Sequence, residues 1–207
     1  MIRKEVEAKV IATTVSFKKT AALAFLIPIL AWVMPAGNVF AQGQDVPFPT
    51  YGSGAIQVRI FSDYFCPPCR AIEPALEPLL KDLIKNHIIR VTFVDVPFSS
   101  NTPLFAGYFL HALHAKNDFD HALRVRNILF EAATDKSIST KETIEELFNR
   151  KKIPYTIFDT KPAFERFNVL IREDNINTTP TCVIVEGGKK KHFIGRKDIV
   201  KALEQLQ

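Results

Sequence analysis

The fold is decided by the stretch Phe61-Ser62-Asp63-Tyr64-Phe65-Cys66-Pro67-Pro68-Cys69-Arg70. A run of β-branched and aromatic residues, Ile56 to Phe61, leads into it, and a helix with periodic apolar residues follows the second cysteine. A strand, a C-x-x-C motif and a helix in this order are typical of a redox site. The first thiol then lies at a helix N-terminus, where free N–H groups and the positive end of the dipole stabilise a thiolate. We therefore predict Cys66 as the nucleophile and Cys69 as the thiol that resolves its mixed disulfides.

A C-x-x-C motif has two other interpretations, half of a zinc site or an inert structural disulfide. A zinc ribbon needs a second pair of ligands, and Cys182 is the only further cysteine in the sequence. A structural disulfide would not explain why the motif lies between a strand and a helix. Cys182 itself, inside a predicted strand, is expected to act as a small buried hydrophobic residue, the alternative being a redox or regulatory thiol.

Histidines raise the alternative of a metal site, because His111 and His114 share a helix face and His121 follows in the next predicted helix. Neither an acidic nor a cysteine ligand accompanies them in a recognisable motif. Solvated histidines on helices are the better interpretation. We expect neither a metal site nor a cofactor.

The first 41 residues have the features of an export signal. A basic region precedes an apolar core of 13 residues, Ala21 to Val33, which is short for a membrane span. Val39 and Ala41 place small residues where a signal peptidase needs them, so we predict cleavage between Ala41 and Gln42. The alternative is an uncleaved membrane anchor.

Cleavage would leave 166 of the 207 residues, enough for one domain with a sizeable core. The mature chain would carry 22 basic and 20 acidic residues, a balance that argues against nucleic acid as a partner. Both methionines, Met1 and Met34, lie in the leader, so the mature chain lacks the thioether ligands of many copper carriers.

Hydrophobic patterning of the mature chain predicts the order βαβ, a helical block, and then ββα, which is an α/β protein. Within the helical block, Thr102 is predicted to cap the first helix and Ser139–Glu142 to form a capping box. The predicted divisions are a signal peptide over 1–41, a linker over 42–54, the first part of the α/β domain over 55–100, a helical insertion over 101–176 and the second part over 177–207.

The sequence resembles the thioredoxin superfamily, and within it the DsbA-like thiol:disulfide oxidoreductases. Cys66-Pro67-Pro68-Cys69 matches the active site of that family, and Pro74 matches its helix-kinking proline. Thr179-Pro180, directly before a predicted strand, is similar to the family's cis-proline loop, and 113 residues separate Cys66 from Pro180, enough for the helical insertion of DsbA. The resemblance implies a thioredoxin fold in which Thr179 and Pro180 lie against the active-site disulfide and offer backbone hydrogen bonds to an extended substrate.

The resemblance also implies the roles of several acidic positions. Glu73 falls where DsbA-like proteins carry a glutamate under the active site, the alternative being a solvated carboxylate on the helix. Where DsbA has another buried acid, this chain has Ile60, and Asp63 is expected to cap its loop rather than relay protons. Pro67 and Pro68 lack amide donors and supply no cation, which predicts a couple less oxidising than that of DsbA.

Function follows as an expectation from the motif, the leader and the resemblance. We expect a periplasmic enzyme that forms or rearranges disulfides in cysteine-containing exported polypeptides and that a membrane redox partner recycles. One alternative is an extracytoplasmic thiol reductase, for example in cytochrome c maturation, and another is a metallochaperone that binds metal through Cys66 and Cys69. A monomer is favoured, because no dimerisation extension is visible before Ile56.

Overall fold

The computed structural model describes residues 47–207, so the predicted leader and its cleavage site lie outside the described residues. Apart from a short additional strand at its start, the described part of the chain has the predicted order βαβ, a helical block and then ββα. The strands and helices are β1 (Thr50–Tyr51), β2 (Ile56–Ser62), α1 (Pro67–Lys85), β3 (Ile89–Asp95), α2 (Thr102–Ala115), α3 (Phe119–Ala132), α4 (Lys141–Lys151), α5 (Lys161–Glu173), β4 (Thr181–Glu186), β5 (Lys189–Ile194) and α6 (Gly195–Glu204). Within 47–207, none of these helices combines the length and apolarity needed to cross a bilayer.

The five strands form one sheet in the order β1-β3-β2-β4-β5. Strands β2 and β3 run parallel, and β4 runs antiparallel to β2 on its other side. The end of β2 therefore lies beside the end of β3 and the start of β4, with Phe61 opposite both Val94 and Thr181. This end of the central strands brings together three chain segments that are far apart in sequence.

The stretch predicted as a linker over 42–54 is packed against the sheet in its last part. Thr50 and Tyr51 form β1, which pairs antiparallel with β3. Gly54 approaches the backbone of Ile88 so closely that a Cβ atom there would lie 2.1 Å from the Ile88 carbonyl carbon. Thr50 and Tyr51 therefore do not belong to a linker, because their backbone completes one edge of the sheet.

Alternate residues of the central strands face two apolar layers, as the pleat of a strand requires. Ile60 and Phe93 face the larger core, which α1, α2, α3, α4 and α6 complete. Phe61 and Val94 face a smaller cluster that includes Phe167 of α5. On the apolar face of α5, Phe167 is fully buried, whereas Phe164, Leu170 and Ile171 are half-buried.

Two predicted helix caps differ from the structure by one residue. Asn101 is the N-cap of α2, and Thr102 lies in its first turn. The capping box of α4 joins Thr140 to Thr143 rather than spanning Ser139–Glu142, because the Thr143 hydroxyl accepts from the Thr140 N–H at 3.1 Å. A threonine hydroxyl here takes the place that the glutamate of the usual motif would occupy.

Candidate active site

The loop between β2 and α1 is held by the carboxylate of Asp63. Its Oδ1 accepts the N–H of Phe65 at 2.7 Å, and its Oδ2 accepts the N–H of Ser99 from the loop after β3 at 2.8 Å. Asp63 is buried, and each of its oxygens has a backbone donor. The loop-capping interpretation of Asp63 is therefore confirmed.

Cys66 is the N-cap of α1, and its Sγ accepts the N–H of Cys69 at 3.3 Å. Pro67 and Pro68 occupy the first two positions of the helix, where neither can donate an N–H. Cys66 is partly exposed, whereas Cys69 is buried. One partly exposed thiol and one buried thiol thus lie in the predicted place, at the N-terminus of a helix.

The Thr179–Pro180 peptide bond is cis, as the sequence predicted. The thiol of Cys66 contacts this loop and donates to the carbonyl oxygen of Thr179 at 3.5 Å. Pro180 is buried, and its carbonyl accepts the N–H of Gly195 at the start of α6. The C-x-x-C motif and the proline loop thus meet at the end of the sheet where β2 ends and β4 begins.

Burial raises the pKa of the Cys69 thiol to about 12, and the neighbouring thiol of Cys66 adds to this effect. Hydrogen bonds from Thr179 and the backbone of Asp63 act in the opposite direction but are smaller. A thiol with so high a pKa is almost entirely protonated at neutral pH, and a protonated thiol is a poor nucleophile.

Brief alkylation of the reduced chain near pH 7.5 should therefore label Cys66 at least about 100-fold faster than Cys69, since Cys66 is partly exposed and the raised pKa of the buried Cys69 keeps that thiol protonated. Quenched samples digested and mapped by mass spectrometry would measure the three rates. Faster labelling of Cys69 or of the buried Cys182 would contradict the assignment of Cys66 as the accessible thiol.

A cluster of buried charges surrounds Arg126 of α3. Its Nη2 donates to Glu73 Oε1 at 2.7 Å and to Ser62 Oγ at 3.1 Å, and its Nη1 lies 3.7 Å from Asp95 Oδ1. Tyr64 adds a hydrogen bond from its hydroxyl to Asp95 Oδ2 at 3.3 Å. Glu73 lies one turn after Cys69 on α1 and is almost fully buried, so the alternative of a solvated carboxylate is wrong.

Asp95 is the carboxyl of this cluster with an unusual pKa. Burial raises the pKa of Asp95 to about 7, because the opposing attraction of Arg126 and the hydrogen bond from Tyr64 are smaller. Burial alone would lower the pKa of Arg126, but Glu73, Tyr64 and Asp95 raise it, so the guanidinium stays charged. The site therefore contains a carboxyl that can exchange a proton near neutral pH.

Sequence reasoning missed Arg126 and the role of Asp95. A signal for Arg126 was present, because it occupies a position within the apolar stripe that Ala122, Val125 and Leu129 form on α3. A charge at such a position is buried and needs a partner. Its planar group also lies over the ring of Phe93, at 4.2 Å from the ring centre, which fixes the guanidinium between an aromatic face and two carboxylates.

The third cysteine, Cys182, is part of the apolar core. Cys182 is fully buried, pairs with Ile60 across the sheet, and has its pKa raised by burial. Both side chains belong to the apolar core, as expected for Cys182.

The histidines are not all solvated. His114 is exposed and His111 is half-buried, but His121 is buried, so the interpretation as solvated histidines is wrong for His121. Burial lowers the pKa of His111 and of His121. Over residues 47–207, no three or more His, Cys, Asp or Glu side chains are grouped as a metal site would require.

A family model described as Thioredoxin matches residues 51–205, about three quarters of the chain. The chain belongs to the thioredoxin family. The matched range contains both the C-x-x-C motif and the cis-proline loop. The sequence itself matches no curated protein.

Solved structures similar to this thioredoxin-family chain come from several bacteria. A periplasmic thioredoxin-like protein of Salmonella enterica serovar Typhimurium has 21% identity and a TM-score of 0.57, with 79% of this chain and 92% of that chain covered. BdbD of Bacillus subtilis has 24% identity and a TM-score of 0.53, with 77% and 92% covered. A double variant of alpha-DsbA1 of Wolbachia pipientis has 13% identity and a TM-score of 0.56, with 77% and 90% covered.

These likenesses establish the fold. The thioredoxin fold with a helical block between β3 and β4, as predicted from the sequence, is confirmed. Helices α2 to α5 form that block, and α3 supplies Arg126 to the charge cluster beside α1.

Proposed function

We propose that the chain is a protein thiol:disulfide oxidoreductase that forms or rearranges disulfides in exported polypeptides through the Cys66–Cys69 couple. One observation carries the proposal: the partly exposed Cys66 thiol lies at a helix N-terminus, accepts the Cys69 N–H at 3.3 Å and contacts Thr179 of the cis-proline loop at 3.5 Å. Chemistry at a disulfide needs one thiol that a protein substrate can reach and a second thiol close enough to resolve the product. Cys66 and Cys69 supply the two.

Oxidation of a substrate would begin from the chain with a Cys66–Cys69 disulfide. A substrate thiolate attacks Cys66 Sγ, a substrate–Cys66 disulfide forms, and Cys69 leaves as a thiolate that takes up a proton. A second substrate thiolate then attacks the substrate sulfur of that mixed disulfide, and Cys66 leaves as a thiolate. Two electrons pass from the substrate dithiol to the chain, which ends as the dithiol.

The proline loop and the charge cluster have supporting roles in this proposal. Thr179 would offer its backbone N–H and C=O to an extended substrate strand, with Pro180 setting the direction of those groups. Pro67 and Pro68 leave the Cys69 N–H as the donor that stabilises the Cys66 sulfur. Glu73 would act by holding Arg126 in place, since the two form a buried ion pair.

A second function, an extracytoplasmic thiol reductase, is favoured by the chemistry of the two prolines. Among the described residues, Cys69 provides the one backbone N–H that donates to Cys66 Sγ. Fewer donors to the thiolate stabilise the reduced form less, which makes a couple less oxidising. The same Cys66–Cys69 exchange would then run toward reduction of substrate disulfides.

The proposed place of action is the periplasm, with exported cysteine-containing polypeptides as substrates and a membrane redox protein as the recycling partner. The leader predicted from the sequence supports export, and one structural relative is named as a periplasmic protein. Disulfide exchange of this kind is needed where the environment is oxidising.

An exchange assay tests the function. The purified oxidised chain is mixed with an excess of a reduced peptide that carries two cysteines, and both products are followed by mass spectrometry. We expect one peptide disulfide for each Cys66–Cys69 disulfide consumed, because two electrons pass in each cycle. An oxidised chain that leaves the peptide dithiol unchanged, or that uses a disulfide involving Cys182, would contradict the proposal.

A further inference from the structure

Strand β5 lies at one side of the sheet, and over residues 47–207 it pairs with β4 alone. In an antiparallel pair, successive residues alternate between bonding to the partner strand and facing away from it. The N–H of Gly195, directly after β5, donates to the carbonyl of Pro180, directly before β4, at 3.0 Å. The residues of β5 in phase with Gly195 therefore bond to β4. The residues whose backbone groups face the open edge are Lys190, His192 and Ile194.

Three successive lysines begin β5, and they differ in what they contact. Lys190 Nζ lies 2.7 Å from Glu173 Oε1 and 2.6 Å from Asp174 Oδ1, so its charge is already paired. Because side chains of a strand alternate between its two faces, Lys189 and Lys191 share the opposite face of the sheet. Both are exposed, and over residues 47–207 the pairing with Glu173 and Asp174 involves Lys190 alone of the three.

The face that carries Lys189 and Lys191 also borders a pocket of about 400 Å³ between the β4–β5 hairpin and α6. Phe193, on the same face of β5, and Leu206, just after α6, are half-buried and give the pocket part of its apolar lining. Glu186, the cross-strand neighbour of Lys189, is the one acid among the lining residues. A segment lying along β5 would therefore meet two cations, one acid and an apolar depression on this face.

Charge decides which kind of strand this edge can accept. Lysines on an edge strand discourage pairing between identical chains, because like charges directly opposite each other are destabilising. The lysine-rich half of β5 cannot pair with its own copy without placing lysine opposite lysine. The same two charges on Lys189 and Lys191 favour a strand that has acidic side chains at the matching positions.

We propose that the open edge of β5 binds an extended acidic segment of a partner protein, which adds a further antiparallel strand to the sheet. Two acidic residues separated by one position would lie opposite Lys189 and Lys191, and an apolar residue would lie opposite Phe193. Antiparallel order makes the recognised pattern apolar-x-acid-x-acid, written from the N-terminus. An acid at an intervening position would instead face the side of the sheet that carries Glu173.

This interaction is separate from the proposed exchange reaction. Lys189 pairs with Glu186 at the end of the hairpin that is remote from the proline loop, whereas Thr181 beside that loop pairs with Ile194. The partner segment therefore needs no cysteine, and its binding does not require the Cys66–Cys69 couple to react.

Titration of the isotope-labelled chain with short capped peptides, followed by amide NMR, tests the inference. The reference peptide contains valine, threonine, glutamate, threonine and glutamate in that order. A second peptide has serine in place of both glutamates, and a third has the same composition as the reference but with the two glutamates adjacent. The measured quantities are the dissociation constants and the amides that shift.

The reference peptide should bind about fivefold or more tightly than the serine peptide at low salt, because two ion pairs are lost with the glutamates. The adjacent-glutamate peptide should also bind more weakly than the reference. Added salt should reduce both differences, since the charges are exposed. Binding should shift the amides that face the open edge, those of Lys190, His192 and Ile194, and slow their hydrogen exchange.

A charge reversal with a matched control identifies the residues responsible. The double variant Lys189→Glu, Lys191→Glu should reverse the preference, so that a peptide with lysines in place of the glutamates binds more tightly than the reference. Lys190→Gln is the control, because Lys190 lies on the other face and is paired with Glu173 and Asp174. It should keep the wild-type preference.

Equal affinity for the reference and serine peptides, or an unchanged preference in the double variant, would overturn the inference. Binding without any shift of the amides that face the open edge would overturn it too, because the peptide would then lie elsewhere. A dimer in sedimentation experiments whose edge amides are already protected without peptide would also overturn it, since a second copy of the chain would then occupy the edge.

Discussion

Replacing Arg126 by methionine should lower the free energy of unfolding by about 3–5 kcal/mol. Arg126 is fully buried and faces two buried carboxylates, Glu73 at 2.7 Å and Asp95 at 3.7 Å. Methionine has a similar length and packs well, so the loss reports the charges that it leaves without a counterion. Urea unfolding followed by circular dichroism measures the change.

Two further variants show whether the uncompensated charge is the cause. Arg124→Met removes an exposed arginine of the same helix that donates to the Lys151 carbonyl, and it should cost about 1 kcal/mol or less. Adding Glu73→Gln and Asp95→Asn to Arg126→Met should recover a large part of the lost stability, because no buried carboxyl then has to stay charged or take up a proton without the guanidinium. A loss below about 1 kcal/mol in Arg126→Met would contradict the buried ion cluster.

Replacing Cys66 by serine should reduce dithiol oxidation to the uncatalysed rate, since a hydroxyl cannot form the mixed disulfide on which the exchange depends. Cys69→Ser cannot form the Cys66–Cys69 disulfide, so it should also fail to oxidise a dithiol. Its Cys66 thiolate should still attack a supplied substrate disulfide and release one substrate thiolate, so that substrate–Cys66 disulfides accumulate. The peptide assay described above measures the first result, and the same assay started from the reduced chain and the oxidised peptide, with non-reducing gels and mass mapping, measures the second.

Cys182→Ala is the matched control for these two variants. Cys182 is as buried as Cys69 but lies in β4 within the apolar core, and alanine leaves no polar group there. It should retain the wild-type exchange rate, with a modest loss of stability from the removed sulfur. Loss of exchange in Cys182→Ala, or full exchange in Cys66→Ser, would contradict the assignment of the couple.

The sequence predicts the fold well where local signals and topology agree. The strand before Cys66, the cysteines at the start of α1, and Thr179-Pro180 at the start of β4 each have a local signature, and sheet pairing brings them together. The cis bond was implied by the resemblance to the thioredoxin superfamily and is present, and Cys69 is buried.

Features that depend on long-range pairing were missed. The Gly- and Pro-rich stretch before Ile56 has the composition of a linker, yet Thr50 and Tyr51 find an open edge of β3. Arg126 and Asp95 are about 30 residues apart in sequence and lie in different elements, so no motif joins them. The burial of His121 depends in the same way on how α3 is placed in the fold rather than on its own sequence.

A pocket beside Cys66, with Phe65 and Phe98 in its lining, also depends on long-range pairing and was not predicted from the sequence. Phe65 lies within the motif region, but Phe98 lies in the loop after β3, and the bond from Ser99 to Asp63 is what joins their loops. In the sequence, Phe98 is a single apolar residue in a loop, and single apolar residues are common on protein surfaces. The parallel pairing of β2 with β3 places that loop next to Cys66.

The most direct test of the Cys66–Cys69 couple is its reduction potential, measured by equilibrating the chain in glutathione buffers of known ratio and mapping the disulfide formed. We predict a Cys66–Cys69 disulfide with a potential more negative than the value of about −120 mV for DsbA, because Pro67 and Pro68 supply neither an amide donor nor a cation. Pro68→His should shift the potential in the oxidising direction. The account would be contradicted if no Cys66–Cys69 disulfide formed in any buffer, or if the potential were as oxidising as that of DsbA.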